Sequence, residues 1–224
     1  MLFFRVLNEK LSVTKNRFRN SVQLLISARI MIPKRIFDIV NSQKSNLAAY
    51  NNDWYNPGRN VVVRLIWHCV SSVFVNSAFP FSGFKIFVLR TFGAAIGKGV
   101  VVKPNVNVKY PWRLKVGDYT WIGENVWIDN LTEVTIGGNC CLSQGSFILT
   151  GNHDYSKTTF DLMVKSVTME DGAWLGAKAV LCPGVTMHSH SVLAVGSVAN
   201  SSLEAYTIYQ GVPAVKVRER VISN

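Results

Sequence analysis

The feature that most constrains this chain is a six-residue repeat over residues 175–199. Written in sixes it reads LGAKAV, LCPGVT, MHSHSV and LAVGSV, with an aliphatic residue opening each unit. A small residue follows four positions later, at Ala179, Val185, Ser191 and Ser197. A helix repeats about every 3.6 residues and a strand about every 2, so neither explains this period. The pattern is typical of a parallel β-helix, in which three short strands make one triangular coil around inward aliphatic side chains.

The same spacing runs back through the chain. The earlier inward positions are Ile96, Val102, Val108, Val116, Ile122, Ile128, Ile136, Leu142, Ile148 and Met169. Two-residue insertions before Val116 and Ile136 predict corner loops that leave the coil intact. The break at 150–165, TGNHDYSKTTFDLMVK, is too long for a corner, and insertions into solenoids often carry function. We therefore predict a mainly β fold with a β-helix over residues 95–212.

The charge of the chain is high and uneven. The net charge is +11, and residues 1–44 hold nine Lys or Arg against two acids. A basic balance favours an anionic partner, such as a membrane surface or a phosphate-bearing cofactor or substrate. Nucleic acid is disfavoured, because basic and aromatic residues are not interleaved as in an RNA-binding sheet. The four cysteines show neither metal spacing nor a disulfide framework, which indicates a reducing cytoplasm.

The part of the chain before the repeats is predicted to be helical. Residues 1–45 carry apolar stripes among basic residues. They are interpreted either as an amphipathic segment on an anionic membrane, or as a poorly ordered extension or a helix packed on its own protein. Residues 46–94 are expected to cap the coil, with Pro80 separating two helices. Residues 61–79 are marginal for a membrane span, and Arg64 and His68 interrupt them. For the tail, residues 213–224, we expect a short helix.

Several long segments carry a family resemblance: IGENVWID, TIGGNCCLSQGSFILTGNHDY, GAWLGAKAVLCPGV and YTIYQGVPA. Over about residues 46–218 the chain resembles the hexapeptide-repeat acyltransferase superfamily, and most of all the colanic-acid-type exopolysaccharide acetyltransferases. Relatives in that superfamily include maltose, galactoside and serine acetyltransferases. The resemblance implies a left-handed β-helix and a homotrimer. It also implies active sites between subunits, with acetyl-CoA lying along the groove.

Acetyl transfer from a thioester to a hydroxyl requires a base that removes the hydroxyl proton. Histidine suits that task near neutral pH, and the chain contains four. His153 lies in the long insertion and matches the catalytic histidine of the superfamily, so we predict it as the general base. Asp154 is predicted to orient the ring or to form a turn. Asn130 lies near the position where relatives contact the acceptor, and is predicted either as a sugar ligand or as a turn residue.

The resemblance also indicates a cofactor groove along the final coils. Its predicted residues are Trp174, Gly176, Ala177, Ala194, Gly196, Pro213 and Arg218, with Lys216 or Arg220 as further phosphate ligands. The alternative interpretation of Trp174 is a side chain that packs on the protein surface. Relatives often carry Thr-Lys after the last hexad, where this chain has Asn200 and Ser201, so the tail is expected to supply the phosphate contact.

A zinc site is not expected, although His188 and His190 lie close together. The metal-dependent β-helices use three histidines from separate coils, and these two lie on one turn. The resemblance therefore implies an acetyl-CoA-dependent O-acetyltransferase that modifies a sugar in surface-polysaccharide synthesis. The protein is predicted to be cytoplasmic, and a peripheral contact with the inner membrane face stays open. The alternatives are an acyltransferase for an amino acid or aminosugar, and a scaffold without catalysis.

Overall fold

The computed structural model describes residues 44–223, and the predicted amphipathic extension at 1–45 lies almost wholly outside them. Two helices come first, α1 at Val61–Phe74 and α2 at Ser82–Thr91. The side chain of Asn60 caps α1 by accepting from Val63 N at 3.0 Å. The predicted break at Pro80 is confirmed, because the proline lies between the helices. Within the described residues, no helix combines the length and apolarity that crossing a bilayer requires.

Short strands then build five coils of three strands each. The strands are β1 (Ala95–Ile96), β2 (Val101–Val102), β3 (Asn107–Val108), β4 (Leu114–Val116), β5 (Trp121–Ile122), β6 (Trp127–Asp129), β7 (Val134–Ile136), β8 (Cys141–Leu142), β9 (Phe147–Leu149), β12 (Val167–Met169), β13 (Trp174–Leu175), β14 (Val180–Leu181), β15 (Thr186–Met187), β16 (Val192–Leu193) and β17 (Val198–Ala199). Two further strands, β10 (Gly151–His153) and β11 (Leu162–Val164), lie in the insertion between β9 and β12. Equivalent strands of successive coils pair in parallel, which gives three sheets. The sheets run β1-β4-β7-β12-β15, β2-β5-β8-β13-β16 and β3-β6-β9-β14-β17.

The inward positions predicted from the repeat form the core. From Val102 to Ala199 they are at most 4% exposed, and Ile96, at the end nearest the helices, is 9% exposed. The buried small side chains, among them Ala179 and Ser191, occupy the corners beside them. Both two-residue insertions are corners, because the parallel register continues through β4 and β7. The predicted mainly β, left-handed parallel β-helix is thus confirmed.

The helices close the first coil through specific side chains. Trp67 of α1 is buried and donates from Nε1 to the carbonyl oxygens of Val108 and Lys109, at 3.1 and 3.0 Å. Lys85 of α2 is fully buried, and its Nζ donates to the carbonyl oxygens of Val75 and Lys103. Burial lowers the pKa of Lys85, because a charged ammonium loses its hydration there.

The prediction of a C-terminal helix for residues 213–224 is wrong. The chain forms β18 (Thr207–Gly211), parallel to β16, and then β19 (Ala214–Glu219), antiparallel to β18. Val215 and Val217 alternate with Lys216 and Arg218, a period of two that fits a strand rather than a helix. This C-terminal pair, β18 and β19, extends the sheet that contains β2 past the last coil.

Candidate active site

The long insertion is a hairpin that holds His153 at a fixed point. Strand β10 (Gly151–His153) pairs antiparallel with β11 (Leu162–Val164), and His153 lies opposite Leu162. The backbone N–H of Asp154 donates to the Asp161 carbonyl oxygen at 2.8 Å and closes the ladder. The hairpin leaves the coil after β9 and rejoins it before β12. His153 therefore ends a strand instead of lying in an irregular loop.

The imidazole of His153 is oriented by Phe160. Its Nδ1 lies 2.9 Å from the Phe160 carbonyl oxygen, and the two rings stack at 4.5 Å with an interplanar angle of 9°. The ring of Tyr50 lies 5.7 Å from the imidazole. Because a carbonyl oxygen only accepts, Nδ1 carries the proton, and Nε2 of the neutral ring holds a lone pair. The geometry thus leaves one nitrogen available as a base.

Phe160 adopts an unusual backbone conformation to do this. Its φ is +52°, in the left-handed region that bulky residues rarely occupy. Such strain is often found where surrounding structure fixes a functional group. Here the conformation places both the carbonyl oxygen and the ring of Phe160 on the same imidazole.

Asp154 occupies a turn. Its Oδ1 accepts from the Ser156 N–H at 3.0 Å and from the Ser156 hydroxyl. These bonds lower the pKa of Asp154, because they stabilise the carboxylate. The partner of His153 Nδ1 is Phe160, so the structure favours the turn alternative over ring orientation by Asp154.

A groove with a volume of about 570 Å³ adjoins the imidazole. It is lined by the loop at 50–57, the start of α1, one corner of the coil and the hairpin; the residues are Tyr50, Asn52, Asp53, Tyr55, Pro57, Arg64, Lys109, Tyr110, Leu131, His153 and Leu162. Tyr55 donates from its hydroxyl to the Leu131 carbonyl oxygen at 2.7 Å, and burial raises its pKa well above the ordinary value. The site thus combines a histidine, three tyrosines and two cations in one open cleft.

Asn130 lies beneath the groove and is fully buried. Its Oδ1 accepts from the Tyr110 N–H at 2.9 Å, and its Nδ2 donates to the Tyr110 carbonyl oxygen at 2.7 Å. Both polar groups of the amide therefore form hydrogen bonds with the backbone of the adjacent coil. This placement favours the turn alternative over direct contact with an acceptor.

The predicted cofactor residues lie on or near the sheet that contains β13 and β16. Trp174 is 46% exposed and donates from Nε1 to Ser143 Oγ at 2.9 Å. Gly176 is buried, and an added Cβ would lie 2.7 Å from the Leu193 carbonyl oxygen, so its small size serves coil stacking. Ala177 and Ala194 are half-buried, whereas Gly196 is exposed with open space around it.

Of the predicted phosphate ligands, Arg218 is the most available. Lys216 forms salt bridges with Glu204 and Glu219, at 2.9 and 2.8 Å. Arg220 donates to two backbone carbonyl oxygens. The side chain of Arg218 is exposed and forms no hydrogen bond or salt bridge with another residue of the 44–223 segment. Pro213 is also exposed, at the turn between β18 and β19, and follows a cis peptide bond.

The other two coil histidines have separate partners. His188 Nδ1 lies 3.0 Å from Glu170 Oε1. His190 contacts the Ser189 hydroxyl and stacks on Tyr206 at 4.7 Å. Across residues 44–223, no cluster of three or more potential metal ligands occurs.

The sequence did not identify Phe160, Tyr50 or Arg64 as site residues. Phe160 is an ordinary apolar residue in the chain, and its contact with His153 depends on hairpin pairing across seven positions. Tyr50 and Arg64 reach the groove from the loop and from α1, outside the repeat. Part of the signal was present, because the loop at 46–60 contains an aromatic pair, Trp54 and Tyr55, before a turn.

No family model matches the chain. The chain is 36% identical over 167 residues to WcaF of Escherichia coli K12, assigned by name to colanic acid biosynthesis as an acetyltransferase; the match covers 75% of this chain and 92% of WcaF. It is 25% identical over 135 residues to the galactoside O-acetyltransferase of the same organism, covering 59% of this chain and 66% of that protein.

Solved structures share the fold. A hexapeptide-repeat-containing acetyltransferase of Vibrio cholerae, in complex with acetyl-CoA, superposes with a TM-score of 0.66 at 22% identity, over 72% of this chain and 88% of that chain. A galactoside acetyltransferase in complex with coenzyme A gives a TM-score of 0.64 at 22% identity, over 70% and 80% of the two chains. At this identity the likeness shows the shared β-helix fold alone.

Proposed function

The chain belongs to the hexapeptide-repeat acetyltransferase family. We propose that it transfers acetyl from acetyl-CoA to a sugar hydroxyl during surface-polysaccharide synthesis. The observation that carries the proposal is the His153 geometry, with Nδ1 held by the Phe160 carbonyl and the ring lining a groove large enough for a sugar. The named function of WcaF supports the polysaccharide context.

The proposed step needs one proton transfer in each direction. Nε2 of His153 accepts the hydroxyl proton as the oxygen attacks the thioester carbonyl. This attack forms the new C–O bond and a tetrahedral intermediate. The C–S bond then breaks to leave the acetyl ester, and the proton passes from Nε2 to the departing thiolate. Because Nδ1–H donates to Phe160, the charge that develops on the ring faces a carbonyl dipole.

The cofactor is proposed to lie between subunits of a homotrimer. Two sheets carry exposed aromatic side chains on their outer faces: Trp121 and Trp174 on one, and Trp127 on the other. The third sheet presents Lys115, Thr135, Thr168 and Thr186 instead. Exposed apolar surface of this kind marks contact faces, which supports packing of the two aromatic sheets against neighbouring subunits. Trp174, Ala194, Gly196, Pro213 and Arg218 would then line the pantetheine and phosphate path.

We also propose that the protein is cytoplasmic and that residues 1–45 contact the inner face of the cell membrane. The proposed contact rests on the excess of basic residues in this region. Deleting residues 1–45 is expected to shift the protein from the membrane fraction to the soluble fraction. The same distribution for both forms would reject this part of the proposal.

The function is tested by following CoA release from acetyl-CoA with sugar acceptors, for wild type and His153→Ala. We expect His153→Ala to lose at least about 10²-fold in turnover, in line with general-base contributions. His188→Ala is the matched control, because His188 is exposed on another corner and should keep full turnover. Full activity of His153→Ala would refute the assignment, and inactivity of the wild type on every sugar would favour an amino acid or aminosugar acceptor, or a scaffold.

A further inference from the structure

The groove beside His153 lies in a part of the chain with a strong excess of positive charge. Between Asp53 and Asp118 the sequence contains nine Lys or Arg and no acid. Two of these cations, Arg64 and Lys109, line the groove, and Asp53 is the acidic residue that lines it. The side chain of Asp53 accepts from the amide of Asn51 at 3.0 Å.

The cations near the groove differ in their partners. Lys109 Nζ lies 2.9 Å from Asp129 Oδ1, so its charge is balanced by a carboxylate. Arg113 donates to the Tyr55 hydroxyl and the Asn56 carbonyl oxygen. Arg64 forms no salt bridge with any residue in 44–223, and its Nε is buried without a hydrogen-bond partner. A buried guanidinium donor left without an acceptor is costly, which points to an acceptor that arrives with a ligand.

Arg64 is also placed where a long ligand would pass. A second cavity, of about 280 Å³, adjoins the first and shares Arg64, Lys109 and Tyr110 with it. Arg64 therefore lies at the junction of the two spaces. Its position is rigid, because α1 is capped by Asn60 and anchored to the first coil by Trp67.

We propose that the acceptor is an anionic sugar, whose carboxylate or phosphate binds Arg64 while one of its hydroxyls lies against His153 Nε2. A planar guanidinium binds the oxygens of either group through paired hydrogen bonds. Tyr50, Tyr55 and Tyr110 supply aromatic walls for the sugar ring between the two ends. This inference rests on the proposed function, because it assigns the acceptor of the same site.

The test compares three acceptors: methyl glucuronide, glucose 1-phosphate and methyl glucoside. The variants are Arg64→Gln, Arg64→Lys and the control Arg59→Gln, which makes the same charge change at an exposed residue outside both cavities. We expect Arg64→Gln to lower kcat/KM for an anionic acceptor about 10- to 100-fold, mainly through KM, as for the loss of a charged hydrogen bond. Its effect on methyl glucoside should stay within about 3-fold, and Arg64→Lys should retain part of the anionic preference.

The comparison of the two anionic acceptors identifies whether carboxylate or phosphate is the natural group. Equal losses for the charged and neutral acceptors in Arg64→Gln, or no anionic preference in the wild type, would overturn the proposal. Calorimetry measures the binding of methyl glucuronide and glucose 1-phosphate without acetyl transfer. It therefore tests the Arg64 site separately from the proposed catalytic function. If His153→Ala keeps its turnover, the catalytic assignment fails, whereas weaker binding of the anions to Arg64→Gln than to wild type still supports the Arg64 site. Equal binding to both proteins would reject it.

Discussion

The coil and the hairpin at β10–β11 adjoin each other, but different forces hold them. In the coil, side chains such as Ile148 and Leu181 are fully buried, and each contacts the coils above and below. The hairpin is polar at its tip, where Tyr155 is 85% exposed and hydrogen bonds involving Asp154 and Asp161 set the shape. Burial thus supplies the stability, and local hydrogen bonds supply the geometry of His153, the proposed general base.

Substitutions in the coil and in the hairpin should therefore change different properties of the protein. A cavity in the coil removes buried apolar contacts and lowers the free energy of unfolding. A change at the hairpin tip leaves the core intact and acts on the position of the imidazole.

Leu181→Ala should destabilise the protein by about 2–5 kcal/mol, because it leaves a cavity where the side chain is fully buried. Tyr155→Ala, in the hairpin, should stay within about 0.5 kcal/mol of wild type. Denaturant unfolding at one fixed protein concentration measures both. Similar losses for the two variants would mean that the hairpin contributes to the cooperative core, contrary to this account.

Asn130→Ala should cost about 1–3 kcal/mol, because the N–H and the carbonyl of Tyr110 both lose their buried partner. The same unfolding assay measures the loss, and acetyl transfer is measured below the unfolding range. We expect turnover there to remain near that of wild type. Normal stability with a large rise in KM for the acceptor would instead make Asn130 a sugar ligand.

Phe160→Ala should leave stability nearly unchanged and lower turnover about 3- to 10-fold, because the imidazole loses the ring stacked on it at 4.5 Å. Steady-state kinetics should show the loss in kcat more than in the KM for acetyl-CoA. Tyr155→Ala in the same hairpin is the control and should behave as wild type. A Phe160→Ala protein with full kcat would show that the stack does not position the base.

The smallest expected effect concerns Cys140 in the coil, where burial raises the pKa of the thiol to about 11. The folded protein therefore favours the protonated thiol more than the unfolded chain does. Stability from this source is fully present below the ordinary thiol pKa of 9.0 and is lost as the pH rises towards 11. By pH 9.5 the loss should be less than about 1 kcal/mol, seen as a steeper pH dependence in wild type than in Cys140→Ala. Parallel curves would contradict it.

The coil was predictable because its period directly records which side chains are buried. Val102, Ile122 and Leu193 all lie inside as the spacing indicated. The C-terminal strand was missed because basic residues near the end were interpreted as a helix, although the alternation of Val215 and Val217 with charged residues indicated a strand. The pairing with β18 then fixes which residues of the two strands lie opposite each other.

The candidate active site was predictable in part. The insertion that breaks the repeat contains His153, and the resemblance to the acyltransferase superfamily identified this histidine as the candidate base. The role of Phe160 could not be predicted, since it depends on a positive φ and on hairpin register, neither of which a phenylalanine signals. Arg64 was equally hidden, because its relation to His153 arises from the packing of α1 on the first coil.

The central claim is that the hairpin presents His153 Nε2 to an acetyl thioester held along the coil. The most direct measurement is a crystal structure of the assembled protein with CoA bound. The account predicts that the CoA sulfur lies within hydrogen-bond reach of His153 Nε2, about 3 Å or one bridging water away, across a subunit boundary. A CoA bound elsewhere, or a hairpin pointing away from the thiol end, would contradict it.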